Sequence, residues 1–158
     1  MTLPCQLPDG VVLRRARAAD LPALVRLLAD DQLGATRDGG DLEPYRRAFA
    51  AIDADPAQLL VVAEADGAVV GTLQLTVIPG LARRGALRAQ VEAVRVSAAR
   101  RGRGLGRAMI GWVIEEARRR GCALVQLTTD KRRTDAHRFY ERLGFAASHE
   151  GMKLLLGG

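Results

Sequence analysis

Four arginines and three glycines fall within eight residues, Arg100-Arg101-Gly102-Arg103-Gly104-Leu105-Gly106-Arg107. Glycines let successive N–H groups point into one concavity and let a ligand approach the backbone closely. A helix beginning here adds unpaired N–H donors and a partial positive charge. Arg101, Arg103 and Arg107 add full charges and forked donors. Such a loop suits a di- or polyanion, most simply a pyrophosphate. Each helix-terminus contact contributes roughly 0.3–1 kcal/mol, so several must act together to hold a large ligand. No G-K-[ST] follows, which excludes a Walker loop. The glycines are spaced by two, and no acidic residue closes a second strand at the usual distance, so the dinucleotide fingerprint is also absent.

The elements on either side must position this loop. Before it, Val91, Val94 and Val96 are β-branched and predict a buried strand, residues 87–96. Glu92 and Arg95 interrupt its apolar run, so one end of the strand is expected to line a site. By alternation Glu92, Val94 and Val96 share one face, unless a bulge shifts them by one residue. After the loop, Leu105, Met109, Trp112, Val113, Glu116 and Ala117 recur at three- and four-residue steps, the signature of an amphipathic helix. Gly121 stops it behind Arg118, Arg119 and Arg120, whose charges suit its negative end.

The remaining pattern supplies a sheet. A short first strand covers residues 11–17. A helix follows from Leu21 to near Gly34, with Asp20 as its N-cap and Pro22 in its first turn. Residues 36–41 form a polar, glycine-rich loop that is expected to be mobile. Residues 42–53 read as a second helix with Tyr45, Phe49 and Ile52 on one side. Strands cover 58–65 and 68–78, joined by the hairpin signal Asp66-Gly67. Residues 79–85 are a loop. A strand at 123–129 follows the long helix, and strand–helix–strand order favours parallel pairing with the Val91 strand. A last helix covers 135–143, and short strands 145–148 and 152–156 flank a turn. Antiparallel strands followed by β-α-β make a mixed α+β sheet with helices on both faces.

At 158 residues the chain is expected to be one domain with its own core. No apolar run reaches the length of a membrane span, and the N-terminus lacks a secretory pattern. Two distant cysteines, Cys5 and Cys122, point to a reduced, cytoplasmic protein. Neither has the His partner of a nucleophile. His137 and His149 have no metal-ligand spacing, so no metal is expected. The net charge of +6 favours anionic partners. The basic residues lack aromatic interleaving or a nucleic-acid motif, which argues against specific nucleic-acid binding.

Arg101-x-x-Gly104-x-Gly106 between strand and helix resembles the acyl-CoA loop, R/Q-x-x-G-x-G/A, of the GNAT N-acetyltransferase superfamily. Ala136-His137-Arg138-Phe139-Tyr140-Glu141-Arg142-Leu143-Gly144-Phe145 resembles its A-x-x-F-Y-x-x-x-G-F segment. The two motifs stand in the family's order and cover about residues 88–147. The resemblance implies the GNAT fold: a central, mostly antiparallel twisted sheet around a β-α-β acyl-CoA-binding core. It implies transfer of the acetyl group of acetyl-CoA to a primary amine by direct attack in a ternary complex. A homodimer is implied too. The first two helices and their loop would wall the acceptor pocket.

The family's roles carry over residue by residue. Backbone N–H groups of Gly102, Arg103, Gly104, Leu105, Gly106 and Arg107, with the Arg101 and Arg107 side chains, would hold the coenzyme phosphates. Val94 and Val96 would pair with the pantetheine arm, and Val94 N–H would polarise the thioester carbonyl. Tyr140 matches the family's acid, which protonates the leaving thiolate; the other reading is a core aromatic. Glu92 matches a frequent carboxylate position. A free Glu and an alkylammonium differ by about 6 pKa units, roughly 8 kcal/mol uphill, so direct abstraction needs shifted pKa values or a water relay. The other readings of Glu92 are an ion pair with Arg95 or Arg88, or orientation of a cationic substrate. Arg133 stands where many members carry an Asn bonded to the pantetheine arm, so it approaches phosphate or faces solvent instead. A different class of function would keep the loop without the chemistry: a noncatalytic acyl-CoA-binding regulatory module of the same fold.

Overall fold

The computed structural model describes residues 2–31 and 34–157. The chain forms two compact units, residues 1–126 and 127–158. In the first, six strands make one sheet in sequence order: β1 (Cys5–Gln6), β2 (Val12–Arg15), β3 (Gln58–Ala65), β4 (Ala68–Ile78), β5 (Leu87–Val96) and β6 (Cys122–Leu127). The pairs from β1 to β5 are antiparallel. The β3–β4 hairpin turns at Asp66 and Gly67, with φ of 51° and 75°. Both central residues are left-handed, the geometry whose twist matches the flanking strands. β6 neighbours β5 after a helical crossover, as strand–helix–strand order anticipates.

Register assigns the two faces. Val61 pairs with Leu73, and Leu75 with Val91. These residues are at most 2% exposed and share the face covered by α4 (Leu105–Arg119), which buries Met109, Ile110, Trp112 and Val113. Gly71 lies on this face too. A Cβ there would stand 3.1 Å from the Met109 sulfur and 3.2 Å from the Arg95 carbonyl, so the bare backbone admits the helix closely. The other face carries Val62, packed with Ala16, Leu21 and Leu24 at the start of α1 (Leu21–Ala29). Tyr45 and Phe49 of α2 (Glu43–Ala54) cover the edge of that cluster. Tyr45 also ties down the preceding glycine-rich loop. Its hydroxyl donates to Asp38 at 3.0 Å and accepts from Gly39 N–H at 2.9 Å.

Several expectations are corrected. The first strand is shorter than 11–17, and β1 before it was not anticipated. The first helix ends at Ala29, well before Gly34; residues 32 and 33 lie outside the described residues. Residues 82–85 form one helical turn, α3 (Ala82–Gly85), with Arg83 and Arg84 left-handed. Residues 145–148 and 152–156 contain no strand. The second unit is built on α5 (Thr134–Arg142). Asp20 stands at the N-cap position of α1, as expected, but its side chain makes no cap bond to that helix. Its carboxylate accepts instead from Arg17 N–H at 2.7 Å and from both Arg14 terminal nitrogens at 2.8 and 2.9 Å.

Two buried carboxylates tie elements together. Arg14 bridges Asp20 and Glu64, so β2, β3 and the start of α1 share one cation. Glu116 on α4 accepts from Arg119 and Arg120, and Arg120 also reaches the Pro56 carbonyl at 3.2 Å. Arg14 holds the Asp20 carboxyl, and Arg119 the Glu116 carboxyl, below their ordinary ranges. Asp20→Ala removes the forked bond and a backbone cap. It should cost about 2 kcal/mol, a fall in Tm of about 4–8 °C, read by thermal melting. The depressed pKa values set the sign of the acid response. As pH falls, the unfolded chain takes up protons first, near 3.8 and 4.5, while the folded carboxylates resist. This stabilisation is complete above about pH 5 and is lost as pH falls through the depressed folded values. Melts between pH 7 and 3 should show Tm falling with acid, and Asp20→Asn with Glu116→Gln should flatten that part of the curve.

Candidate functional site

The loop ahead of α4 forms as its residue types require. Gly102 and Gly104 have φ of 75° and 81°, the left-handed region that glycine enters without strain. Gly104 is the N-cap of α4 and has no side chain to bond the helix's first amides. Its carbonyl accepts from Ala108 N–H at 3.0 Å, which starts the helical ladder. Among the described residues, the N–H groups of Leu105, Gly106 and Arg107 donate to no protein carbonyl. Leu105 is buried and anchors this turn, while Gly102, Arg103, Gly104 and Arg107 are exposed.

The arginines divide into two pairs. Arg100 reaches Asp66 on the β3–β4 hairpin at 3.3 Å. Arg101 turns back: Nε donates to the Val96 carbonyl and Nη2 to the Asp30 carbonyl, both at 3.2 Å. Its guanidinium thereby joins the end of β5 to the C-cap of α1. Arg103 and Arg107 form no ion pair among the described residues. Two uncompensated cations thus flank three unpaired amides at a helix N-terminus, an arrangement that fits a pyrophosphate.

β5 departs from simple alternation. Gln74 on β4 pairs with Glu92 and Thr72 with Arg95, so two β5 residues, Ala93 and Val94, stand opposite Leu73 alone. This is a bulge, and Ala93 carries the strained φ of 52°. Glu92 therefore lies on the face of Gln74 and Thr72, with α1. Val96 pairs with Gly71 and lies on the α4 face. The expected shared face of Glu92, Val94 and Val96 is corrected: the extra residue separates Glu92 from Val96. The carbonyl of Val94 accepts from Arg95 Nη1 at 3.0 Å.

Glu92 is exposed and makes no ion pair among the described residues, which removes the expected pairing with Arg95 or Arg88. Arg95 pairs with Asp31 at 3.3 Å. Glu92 instead accepts from Gln90 Nε2 at 2.9 Å, and Gln90 accepts from Gln126 Nε2 at 2.9 Å. On the same sheet face Gln58 accepts from Gln74 and Thr76 at 3.0 and 2.8 Å. A polar row thus crosses from β3 to β6. Sequence reasoning missed Gln90 and Gln126 as partners of Glu92. The signal was the repetition of polar side chains at alternate positions: Thr72, Gln74 and Thr76 on one strand, Gln90 and Glu92 on the next.

Tyr140 and Arg133 belong to the second unit. Tyr140 lies on α5 between two aromatic neighbours, with ring centroids 5.0 Å from Phe139 and 5.7 Å from Phe145, both edge-on. Its carbonyl accepts from Phe145 N–H at 3.1 Å, closing the helix. Arg133 is the N-cap of α5, and its N–H donates to Asp130 at 2.9 Å. Arg132 grips the Asp130 carboxylate and holds it far below the usual range. Both cysteines are partly buried, and burial pushes each thiol upward in pKa, away from a reactive thiolate.

Comparison with known proteins bears directly on this arrangement. The sequence model of the Acetyltransferase (GNAT) family matches residues 21–145. The aminoalkylphosphonate N-acetyltransferase of Salmonella typhimurium is 31% identical over 137 residues, 87% of this chain and 86% of that protein. The glucosamine 6-phosphate N-acetyltransferase of Trypanosoma brucei brucei is 36% identical over 88 residues. That match spans 56% of this chain and 58% of the relative. A crystal structure described as a transcriptional regulator from Bacillus halodurans C-125 superposes with a TM-score of 0.89 at 47% identity. It covers 92% of this chain and 99% of its own. Strand order, the glycine-arginine turn before a buried helix and these matches agree: the chain belongs to the acetyltransferase (GNAT) family.

Proposed function

We propose that this protein transfers the acetyl group of acetyl-CoA to the primary amine of a small molecule that also carries a phosphate or phosphonate. The observation that carries the coenzyme half is the loop. Among the described residues, three amides without protein acceptors and two cations without an ion pair, Arg103 and Arg107, suit the pyrophosphate of coenzyme A. The acceptor half rests on the relatives. Aminoalkylphosphonate and glucosamine 6-phosphate, named for the two curated proteins, each join an amine to a phosphorus oxyanion. The setting is cytoplasmic, in keeping with two free cysteines.

In this reading the amine attacks the thioester carbonyl directly. The C–N bond forms, the C–S bond breaks, and no acyl-enzyme is made, in keeping with the unreactive thiols. Glu92, held by Gln90, receives the amine proton through water. Tyr140 gives its phenolic proton to the departing thiolate. Val94 and Val96 offer backbone to the pantetheine arm, and Arg133, in place of the usual Asn, either contributes charge toward the phosphates or faces solvent.

A second reading is a noncatalytic acyl-CoA-binding regulatory module. It is favoured by the 47% identical structure described as a transcriptional regulator. Both readings need the loop, but only the first needs Tyr140.

Calorimetric titration with acetyl-CoA should show micromolar binding. Gly104→Glu should weaken it at least tenfold by placing a carboxylate beside the amides, whereas Gly104→Asn, which tolerates the same backbone, should weaken it less. No binding to the folded wild type would sink both readings. Thiol release should then be followed with 2-aminoethylphosphonate, glucosamine 6-phosphate and unphosphorylated glucosamine. Turnover only with the phosphorus-bearing amines supports the acceptor class; equal turnover of glucosamine refutes it. Tyr140→Phe should lower kcat about 100-fold with acetyl-CoA affinity unchanged. Undiminished kcat would remove Tyr140 from the chemistry, and turnover by no amine would favour the regulatory module.

A further inference from the structure

Register puts two opposite charges on one face of β5. Ala89 and Val91 take the α4 face and are buried. Arg88, Gln90 and Glu92 therefore take the other face, opposite Ile78, Thr76 and Gln74 of β4. Arg88 and Glu92 are exposed there. Glu92 is turned to Gln90, and Gln90 is held by Gln126, so the carboxylate has a fixed place. Arg88 has neither an ion pair nor a side-chain hydrogen bond among the described residues. The neighbouring sequence supplies no counter-charge. Between Asp66 and Glu92 the chain carries no acidic residue, yet it carries Arg83, Arg84 and Arg88. Arg83 and Arg84 are exposed in the left-handed turn that leads into β5, and they too form no ion pair among the described residues.

Spacing limits what can lie between these charges. A strand rises about 3.3 Å per residue, so the Cα atoms of Arg88 and Glu92 stand about 13 Å apart. Side chains leaning in from both ends leave room for a small molecule and no more. That molecule must present a cation to Glu92 and an anion to Arg88. Between them the face offers Gln74, Thr76 and Gln90, which suit hydroxyl groups or the edge of a short chain. The forked guanidinium fits two oxygens of a tetrahedral oxyanion, and the cationic turn beside it favours a dianion. The glycine-arginine loop lies beyond the opposite end of β5, which runs from Leu87 to Val96. Its cations are therefore not the ones that meet a ligand at Arg88.

We infer that Arg88 is the residue that recognises the phosphorus oxyanion of the acceptor, with Glu92 at the ammonium end and Gln90 between them. The inference rests on the acceptor class proposed above and names the side chain that selects it. β5 then serves two anions, one beyond each end. The coenzyme pyrophosphate belongs to the loop after Val96, and the acceptor's phosphate or phosphonate belongs to Arg88. The amine falls between them, beside Glu92.

An anion that cannot react tests Arg88 apart from turnover. Ethylphosphonate, which lacks the amine, is titrated into isotope-labelled protein and followed by amide chemical shifts. The protein carries Arg103→Ala and Arg107→Ala, so the loop's cations do not contribute. Millimolar binding with shifts at residues 86–92 is expected. Arg88→Gln should weaken it about tenfold or more, and Arg88→Lys should restore part of it. Arg15→Gln removes an exposed cation paired opposite Val61, on the α4 face, and should leave binding unchanged. No binding, or an equal loss in Arg15→Gln, overturns the inference. In turnover, Arg88→Gln should raise KM for 2-aminoethylphosphonate and glucosamine 6-phosphate about tenfold, with a much smaller change in kcat and none in KM for glucosamine. An equal rise for glucosamine overturns it. Turnover of no amine sinks the acetyl-transfer reading alone, because ethylphosphonate binding still decides the role of Arg88.

Discussion

An α-helix cannot satisfy its own first amides, and this protein leaves those of α4 without a cap. Gly104 has no side chain to offer, and no other described group takes the place of one. The donors remain fixed because one face of α4 is buried. Met109, Ile110, Trp112 and Val113 are at most 1% exposed against the sheet, and Gly71 removes the Cβ that would hold the helix off. At the far end Glu116 draws in Arg119 and Arg120, and Arg120 ties the helix to Pro56. Hydrophobic burial along the helix thus holds in place three amides that have no protein acceptor among the described residues. The same constraint sorts the arginines. Arg100 and Arg101 spend their charge on Asp66, Val96 and Asp30, fixing the loop to the hairpin and to α1. Arg103 and Arg107 keep theirs.

A second constraint acts on β5. Its first half must present Ala89 and Val91 to the core under α4, yet its polar residues must reach the opposite face. Plain alternation would continue one assignment along the whole strand. The extra residue at Ala93 resets it, at the cost of a left-handed alanine. Glu92 and Arg95, three apart, then fall on one face. Arg95 finds Asp31 at the end of α1, and Glu92 is left to the glutamines. The bulge brings Arg95 onto the face of Glu92, yet Glu92 forms no ion pair among the described residues, because Arg95 is already engaged by Asp31.

What the sequence made legible follows the range of the interactions involved. β3, β4, β5 and α4 are readable within a residue or so, since their apolar periods and the Asp66-Gly67 turn are local. The anion loop is readable for the same reason: glycine spacing and charge act within eight residues. The bulge was not, because Glu-Ala-Val-Arg contains no glycine and the fault shows only against Leu73 on the neighbouring strand. Asp20 was legible as the N-cap residue of α1, but its carboxylate goes to Arg14, across a strand end, rather than to the helix it precedes. The Gln126–Gln90–Glu92 chain spans 36 residues and needed the sheet order to be seen.

The strands expected at 145–148 and 152–156 failed for a related but different reason. A strand is defined by a partner, and an apolar extended sequence states only half of that condition. α5 forms from local pattern and is closed by its own aromatic neighbours and by Phe145. Beyond it the chain has apolar side chains but forms no strand. The sheet meanwhile ends on a strand whose sequence lacks every device that protects an edge. The strands read at 145–148 and 152–156 from apolar composition do not form, because composition alone supplies no partner for the ladder. Pattern in one sequence cannot tell whether a strand is completed within one molecule or between two.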